Sequence, residues 1–178
     1  MSEIDKLAEL FTKFPGIGPR QARRFVFFLL QQDARYRTAL TRTIQDIATQ
    51  VRQCAICMRY APVYAKEPKC DICTNTGRDE AKLMLVEKDT DVDQIEKSGA
   101  YSGRYFVLGG TLSLTGKKGY MREKELEAHL QGRTNLSEII LALSATPDGE
   151  YTSDYLVSKF KDAKKMKNVS VTILGRGL

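Results

Sequence analysis

The sequence predicts a multi-part chain of mixed α+β and α/β class: a helical N-terminal region, a metal-held knuckle, and a C-terminal layer of helices on a mainly parallel sheet. Three features point there. Apolar residues recur at helical spacing through residues 3–52, and four cysteines then stand in two close pairs. From residue 82 onward, short apolar runs alternate with helical patterns. Such alternation of strand and helix is the pattern of parallel βαβ units.

The elements follow in order. Ile4, Leu7, Ala8 and Phe11 carry the i, i+3, i+4, i+7 rhythm of an amphipathic helix over residues 3–13. Phe14-Pro15-Gly16-Ile17-Gly18-Pro19 is a turn, and Pro19 suits the first position of a second helix, whose rhythm continues at Ala22, Phe25, Val26 and Leu29. A third helix over about 38–52 places Leu40, Ile44, Ile47, Ala48 and Val51 on one face. Residues 54–73 have no periodicity. Strands are expected at 82–86, 105–108, 139–143 and 169–174, and helices at 91–98, 122–131 and 152–166. The expected regions are 1–53, 54–78 and 79–178.

With 42% hydrophobic residues in 178, the chain can build a core, yet no apolar run is long enough to span a bilayer. The polar start, Met1-Ser2-Glu3-Ile4-Asp5, lacks the basic and apolar regions of a signal peptide, so a cytoplasmic protein is expected. The net charge is +6, of which four units fall in residues 1–53, with nine basic against five acidic side chains. A polyanionic partner held by bulk charge would meet that region first.

Cys54-x2-Cys57 and Cys70-x2-Cys73 are separated by twelve residues. Two such pairs can surround one tetrahedral Zn²⁺ with four thiolates, and in a reducing compartment this spacing reads as metal ligation. Four thiolates saturate the ion, so its role is structural: the binding energy becomes folding energy for a segment too short to make its own core.

Pro15-Gly16-Ile17-Gly18-Pro19-Arg20 lies between two amphipathic helices. Gly16 and Gly18 permit a tight turn and close approach of a ligand, and the unpaired amides at the start of the second helix form a phosphate seat. Arg20, Arg23 and Arg24 line the first turns of that helix. Helical hairpins of this kind hold nucleic-acid phosphates without reading bases. The plain alternative is a helical hairpin with a solvated arginine face.

Glu87 follows the strand at 82–86, and Asp148-Gly149-Glu150 follows the strand at 139–143. Strand C-termini of a parallel sheet share one edge, so Glu87, Asp148 and Glu150 could converge, with Asp91 one helical turn beyond Glu87. A cluster of this kind suits Mg²⁺. Helix capping is the equally open alternative, and it is favoured for Asp89 and Asp93. His129, the single histidine, reads as a surface residue of a polar helix. The pairs Gly109-Gly110 and Gly116/Gly119 match no phosphate-loop signature. Lys161, Lys164, Lys165 and Lys167 read as a solvated helix end.

In their order these features resemble the RecR family of bacterial recombination mediators, and the resemblance covers almost the whole chain. Phe14-Pro15-Gly16-Ile17-Gly18-Pro19-Arg20 is similar to the family's Leu-Pro-Gly-Ile-Gly-Pro-Lys hairpin. Leu85-Val86-Glu87 with Asp91 resembles the start of its Toprim domain. Gly103-Arg104-Tyr105-Phe106-Val107-Leu108-Gly109-Gly110, Gly149-Glu150-x-Thr152 and Gly175-Arg176-Gly177-Leu178 resemble three further signatures. The resemblance implies an N-terminal helix-hairpin-helix, a four-cysteine zinc finger and a C-terminal Toprim domain. It further implies a ring-shaped homo-oligomer around single- or double-stranded DNA, and partnership with RecO and often RecF in loading RecA on single-stranded gaps. Arg20 and Arg24 match positions implicated in DNA contact, and Glu87 and Asp91 match Toprim acids implicated in RecO contact. Family Toprim domains of this type are not known as catalysts.

The chain departs from the family in four places. The loop between the cysteine pairs is longer. Phe106 stands where the family has His. Asp148 replaces a Glu, and the Asn-Pro-Thr before it is altered to Ala-Thr-Pro. The sequence ends at Leu178, where the family continues through a Pro-x-Gly-Gly segment, a strand and a short helix; if that tail is absent, the resemblance no longer implies ring closure by the C-terminal region, while a dimer joined through the N-terminal helices could survive. The expected function is a non-catalytic DNA clamp. The rival is a Mg²⁺-dependent Toprim nuclease or nicking enzyme using Glu87, Asp148 and Glu150, against which stands Asp148-x-Glu150 in the place of an Asp-x-Asp pair after the strand at 139–143. A scaffold that never touches DNA is a third reading.

Overall fold

The computed structural model describes residues 1–62, 68–115, 119–163 and 166–175. Gly116, Lys164 and Lys165 lie outside the described residues, as do Arg176, Gly177 and Leu178. The chain divides into two compact units, Met1–Gln50 and Val51–Leu178.

The first unit is three helices. α1 (Glu3–Thr12) opens on a capping box in which Ser2 and Asp5 satisfy each other's backbone N–H. α2 (Pro19–Gln31) follows the N-cap Gly18, with Pro19 at its first position. α3 (Ala34–Gln50) starts four residues earlier than its apolar rhythm suggests. There Asp33 takes the cap position, accepting the Tyr36 N–H at 2.7 Å. Ala8, Ala22 and Val26 form the buried core, with Ile4, Leu7, Phe11 and Ile17 packed around them. α3 buries no residue. Three small buried side chains make a thin core, so much apolar surface stays open: Leu10, Phe14, Phe27, Leu30, Ile44 and Ile47 are all about half exposed.

The second unit begins with a two-stranded antiparallel ribbon of β1 (Val51–Gln53) and β2 (Tyr60–Pro62). This pairing takes residues 51–53 out of the expected N-terminal region and into the cysteine knuckle. The short α4 (Asp71–Thr74) follows. Next come β3 (Asp79–Val86), α5 (Asp89–Ser98), β4 (Gly103–Val107) and α6 (Glu123–Gln131). The remaining elements are β5 (Glu138–Ala142), α7 (Pro147–Asp162) and β6 (Ser170–Ile173). Strands β3 to β6 form one parallel sheet in the order β4-β3-β5-β6, with Leu85 of β3 between Phe106 and Leu141.

Side chains alternate across this sheet. Met84, Val86, Tyr105 and Val107 face one way and pack with Val92 of α5 and the cysteine knuckle. Leu83, Leu85, Phe106, Ile139 and Leu141 face the other way, under Leu126 and Leu130 of α6 and Leu156 and Phe160 of α7. Both faces are therefore covered, as a parallel sheet requires.

α7 starts at Pro147, five residues before the expected 152. Thr146 caps it by accepting the Gly149 N–H at 3.2 Å, and Pro147 sits at the first position. In that first turn Gly149 is buried, and a Cβ on it would overlap the carbonyl oxygen of Ser144. Because the obstacle is backbone, Gly149→Ala is expected to cost about 1–3 kcal/mol. A chemical-denaturation midpoint unchanged by the substitution would contradict that packing.

Candidate nucleic-acid interface and metal centre

The glycine turn joins α1 to α2. Gly16 has φ +76°, a left-handed conformation that side chains disfavour, so the turn demands glycine there. Gly18 has no side chain to cap α2, and Pro19 has no N–H to donate. The backbone amides of the next residues, Arg20 and Gln21, are therefore the unpaired donors of the helix start. Arg20, Arg23 and Arg24 are all exposed beside them. Their surroundings differ. Arg20 has no ion pair among the described residues, and Arg24 donates to Gln21 Oε1 at 3.2 Å. Arg23 lies 3.4 Å from the Asp5 carboxylate. A capping hydrogen bond from Ser2, with Arg23 as a smaller cause, holds that carboxyl below its usual range. The unpaired amides and the three exposed arginines thus lie on the first two turns of α2, the end of a helix that favours anions.

The four cysteines converge. Cys54 and Cys57 come from the turn after β1, Cys70 is the N-cap of α4, and Cys73 lies within α4. Their sulfurs all lie within 4.8 Å of one another, and Cys57 Sγ is 3.5 Å from Cys70 Sγ. A tetrahedral ion with Zn–S bonds of about 2.3 Å needs sulfurs roughly 3.8 Å apart, so the set fits. Cys54, Cys57 and Cys70 are buried, while Cys73 is partly exposed. The Cys70 N–H points at Cys54 Sγ at 3.4 Å.

A hydrogen bond from Cys57 holds Cys54 far below the usual thiol range, while sharing a proton with Cys54 pushes both Cys57 and Cys73 far above it. Sulfurs this crowded cannot all be thiolates unless a cation joins them. The knuckle is built into the sheet rather than hung from it. Val107 of β4 donates its N–H to Cys57 O at 2.8 Å. The buried Arg104 guanidinium reaches from β4 to the carbonyl of Ile72 in α4 and to Glu80.

Three of the acids expected near the strand ends are held in separate local contacts. Among the described residues, only the four cysteines bring three or more potential metal-ligating groups this close. Glu87 is buried at the end of β3, where Lys88 Nζ sits 2.9 Å from its carboxylate. Burial pushes its carboxyl up, but hydrogen bonds from Lys88 and Ser144 outweigh this and hold it below the usual range. Asp91 accepts the Lys88 N–H at 2.8 Å as part of the α5 capping box. Asp148 accepts the Leu114 N–H at 2.9 Å. Asp148 and Glu150 both stand in the first turn of α7. Glu87, Asp91 and Asp148 are thus each engaged by a local donor.

His129 corrects a sequence expectation. It is half-buried rather than on the surface. Its ring packs 5.2 Å from that of Phe106, and its Nε2 accepts from Arg133 Nε at 3.0 Å. Burial first, and the Arg133 charge second, push its pKa down to about 4. An unfolded chain takes the proton near pH 6.5, so this contribution to stability is complete above 6.5 and lost as pH falls towards 4. Between pH 7.5 and 4.5 the native protein should lose about 2 kcal/mol more than His129→Gln. Parallel pH dependence of urea unfolding in the two proteins would refute this. Arg133 lies just past the end of α6, and no sequence pattern marks it as the partner of His129.

The family description "RecR, helix-hairpin-helix" matches residues 4–48, and "Toprim domain" matches residues 81–174. Among curated proteins, the chain is similar to a "Recombination protein RecR" from Ureaplasma urealyticum, with 33% identity over 179 residues, 99% of this chain and 85% of the relative. Proteins of the same name from a Caulobacter species and from Maricaulis maris are 37% and 36% identical. Each match covers 99% of this chain and 84% of the relative.

Proposed function

The chain belongs to the RecR family of recombination proteins, and we propose that it is a recombination mediator that holds DNA by its phosphates and breaks no bond. The observation that carries this reading is the glycine turn, with its unpaired α2 amides and three exposed arginines, lying inside the segment matched as the RecR helix-hairpin-helix. Gly16 and Gly18 shape the turn; Arg20, Arg23 and Arg24 supply charge. Contacts of that kind serve single- and double-stranded DNA alike and carry no sequence information.

Zn²⁺, one per chain and structural, would be held by Cys54, Cys57, Cys70 and Cys73. It supplies charge to stabilise four thiolates, and all other contacts are the protein's own. Glu87, Asp91, Asp148 and Glu150 serve as a partner-binding surface for RecO, with RecF a further partner, in loading RecA on single-stranded gaps. The separate engagement of Glu87 with Lys88, of Asp91 with the Lys88 amide and of Asp148 with the Leu114 amide favours this over Mg²⁺-dependent strand cleavage.

A homo-oligomer fits the first unit. An apolar groove of about 330 Å³, lined by residues including Ile4, Leu7, Phe11, Leu29, Leu40 and Ile44, lies open along α1, α2 and α3. No helix among the described residues is long and apolar enough to cross a membrane, and a role in DNA recombination places the protein in the cytoplasm, at the nucleoid. The test is one sample measured three ways: native mass with and without DNA, zinc content, and incubation with plasmid and Mg²⁺ or Mn²⁺. The expected result is an oligomer with one zinc per chain that shifts with DNA and leaves the plasmid intact. Nicking that disappears in Glu87→Ala would overturn the non-catalytic reading.

A further inference from the structure

We propose that Phe27 is a stacking platform for an unpaired base, so that the arginine face of α2 grips single-stranded nucleic acid more tightly than duplex. The proposal rests on the reading of the hairpin as a phosphate seat and adds a residue that the reading does not use. Along α2, Phe27 follows Arg24 by three positions and Arg23 by four, spacings that put all three on one helix face. The opposite side of the helix is the buried one, made by Ala22 and Val26 with Phe25 and Leu29 partly covered.

Phe27 is 49% exposed, a large ring turned away from the core of its own unit. It is absent from the lining of the apolar groove, to which α2 contributes Val26, Leu29 and Leu30. The neighbouring Phe28 already packs edge-on against Tyr36, with ring centroids 6.1 Å apart. Phe27 is thus an exposed ring among cations, about 5 Å along the axis from the nearest arginine.

That combination has a chemical reading. Basic side chains track the backbone of a strand, and an aromatic face receives a base whatever its identity. In a duplex the bases are already stacked, and exposing one costs a few kcal/mol. A duplex therefore gains from Arg20, Arg23 and Arg24 but not from Phe27, whereas a single strand gains from both.

The test compares the full native chain with Phe27→Ala, Phe27→Trp and the double variant Arg20→Ala/Arg24→Ala. Each is titrated with a thymidine homopolymer, an abasic strand of equal length, and a duplex. Phe27→Ala should weaken binding to the homopolymer about tenfold and change binding to the abasic strand and duplex less than twofold. Phe27→Trp, which keeps an aromatic face, should bind the homopolymer as tightly as the native chain. The chain contains no tryptophan, so the emission of that variant reports the site alone: the homopolymer should quench it and the abasic strand should not. Equal losses on all three ligands overturn the proposal, and so does a fall in native mass accompanying the loss. If Phe27→Ala changes nothing while the double arginine variant loses affinity, stacking is refuted and the hairpin reading stands. If the native chain binds none of the three ligands, both fail.

Discussion

Stripping the metal from the native protein should lower its melting temperature by more than about 10 °C, and Cys57→Ser should do the same while reducing zinc content well below one per chain. Zinc binding in structural fingers is worth roughly 10–16 kcal/mol near neutral pH, comparable to the whole stability of an ordinary domain. The effect should not stay local. Cys54, Cys57 and Cys70 share one buried cluster with Met84, Val86, Tyr105 and Val107 of the sheet, and Cys57 O accepts from the Val107 N–H. Without the ion, four crowded sulfurs must share protons, and the turn that packs one face of β3 and β4 loses its brace. At about 2–4 °C per kcal/mol for a chain of this size, a loss of about 5 kcal/mol accounts for the shift. Calorimetry with and without a strong chelator, with zinc assayed in the same samples, measures it. Superimposable melts from zinc-loaded and zinc-free protein would refute a structural metal. Substitution by Co²⁺ would report a tetrahedral sulfur site through its visible absorption.

How far the molecule was legible in its sequence depended on the range of the interaction. α1 and α2 follow from local periodicity, and Pro19 at the first position of α2 from the φ that proline fixes. The cysteine cluster follows from spacing, because each CxxC brings its own two sulfurs together. The parallel sheet follows from alternating runs, and Glu87 does stand at the end of β3. What the residues did not announce needed a partner distant in sequence or a competing local donor. Residues 51 and 52 read as the end of a helix until, with Gln53, they pair with β2. His129 reads as polar surface until Phe106 of β4 packs against it. Spacing could bring Glu87, Asp148 and Glu150 to one edge, but it could not show that Lys88 would take Glu87 or that the Leu114 amide would take Asp148. Met58 adopts φ +63° in the turn after Cys57, a conformation nothing in its identity announces. The early start of α7 was readable, since Thr146-Pro147 is a capping residue followed by a first-position proline.

Replacing Arg20 and Arg24 together by Ala should weaken DNA binding about 50-fold near 0.1 M salt and reduce the slope of log K against log salt by about 1.8. The two figures share one origin: each phosphate neutralised releases counterions and contributes about 0.9 to the slope. The loss should be the same for DNAs of unrelated sequence, because guanidinium groups on phosphates carry no base information. Arg23 should behave differently. Its guanidinium already lies 3.4 Å from Asp5, so part of its charge is spent before DNA arrives, and Arg23→Ala should cost less than Arg20→Ala. The converse is a gain. Asp5→Asn keeps an oxygen to accept the Ser2 N–H in the cap of α1 yet removes the competing anion, so it should steepen the slope and raise affinity at low salt. Salt titrations of these variants and the native protein separate charge from shape: Gly16→Ala strains the left-handed turn without touching charge, and should lower affinity while leaving the slope near its native value. An Arg20/Arg24 double variant with unaltered slope would mean that those guanidinium groups do not meet phosphate, whatever other surface of the protein does.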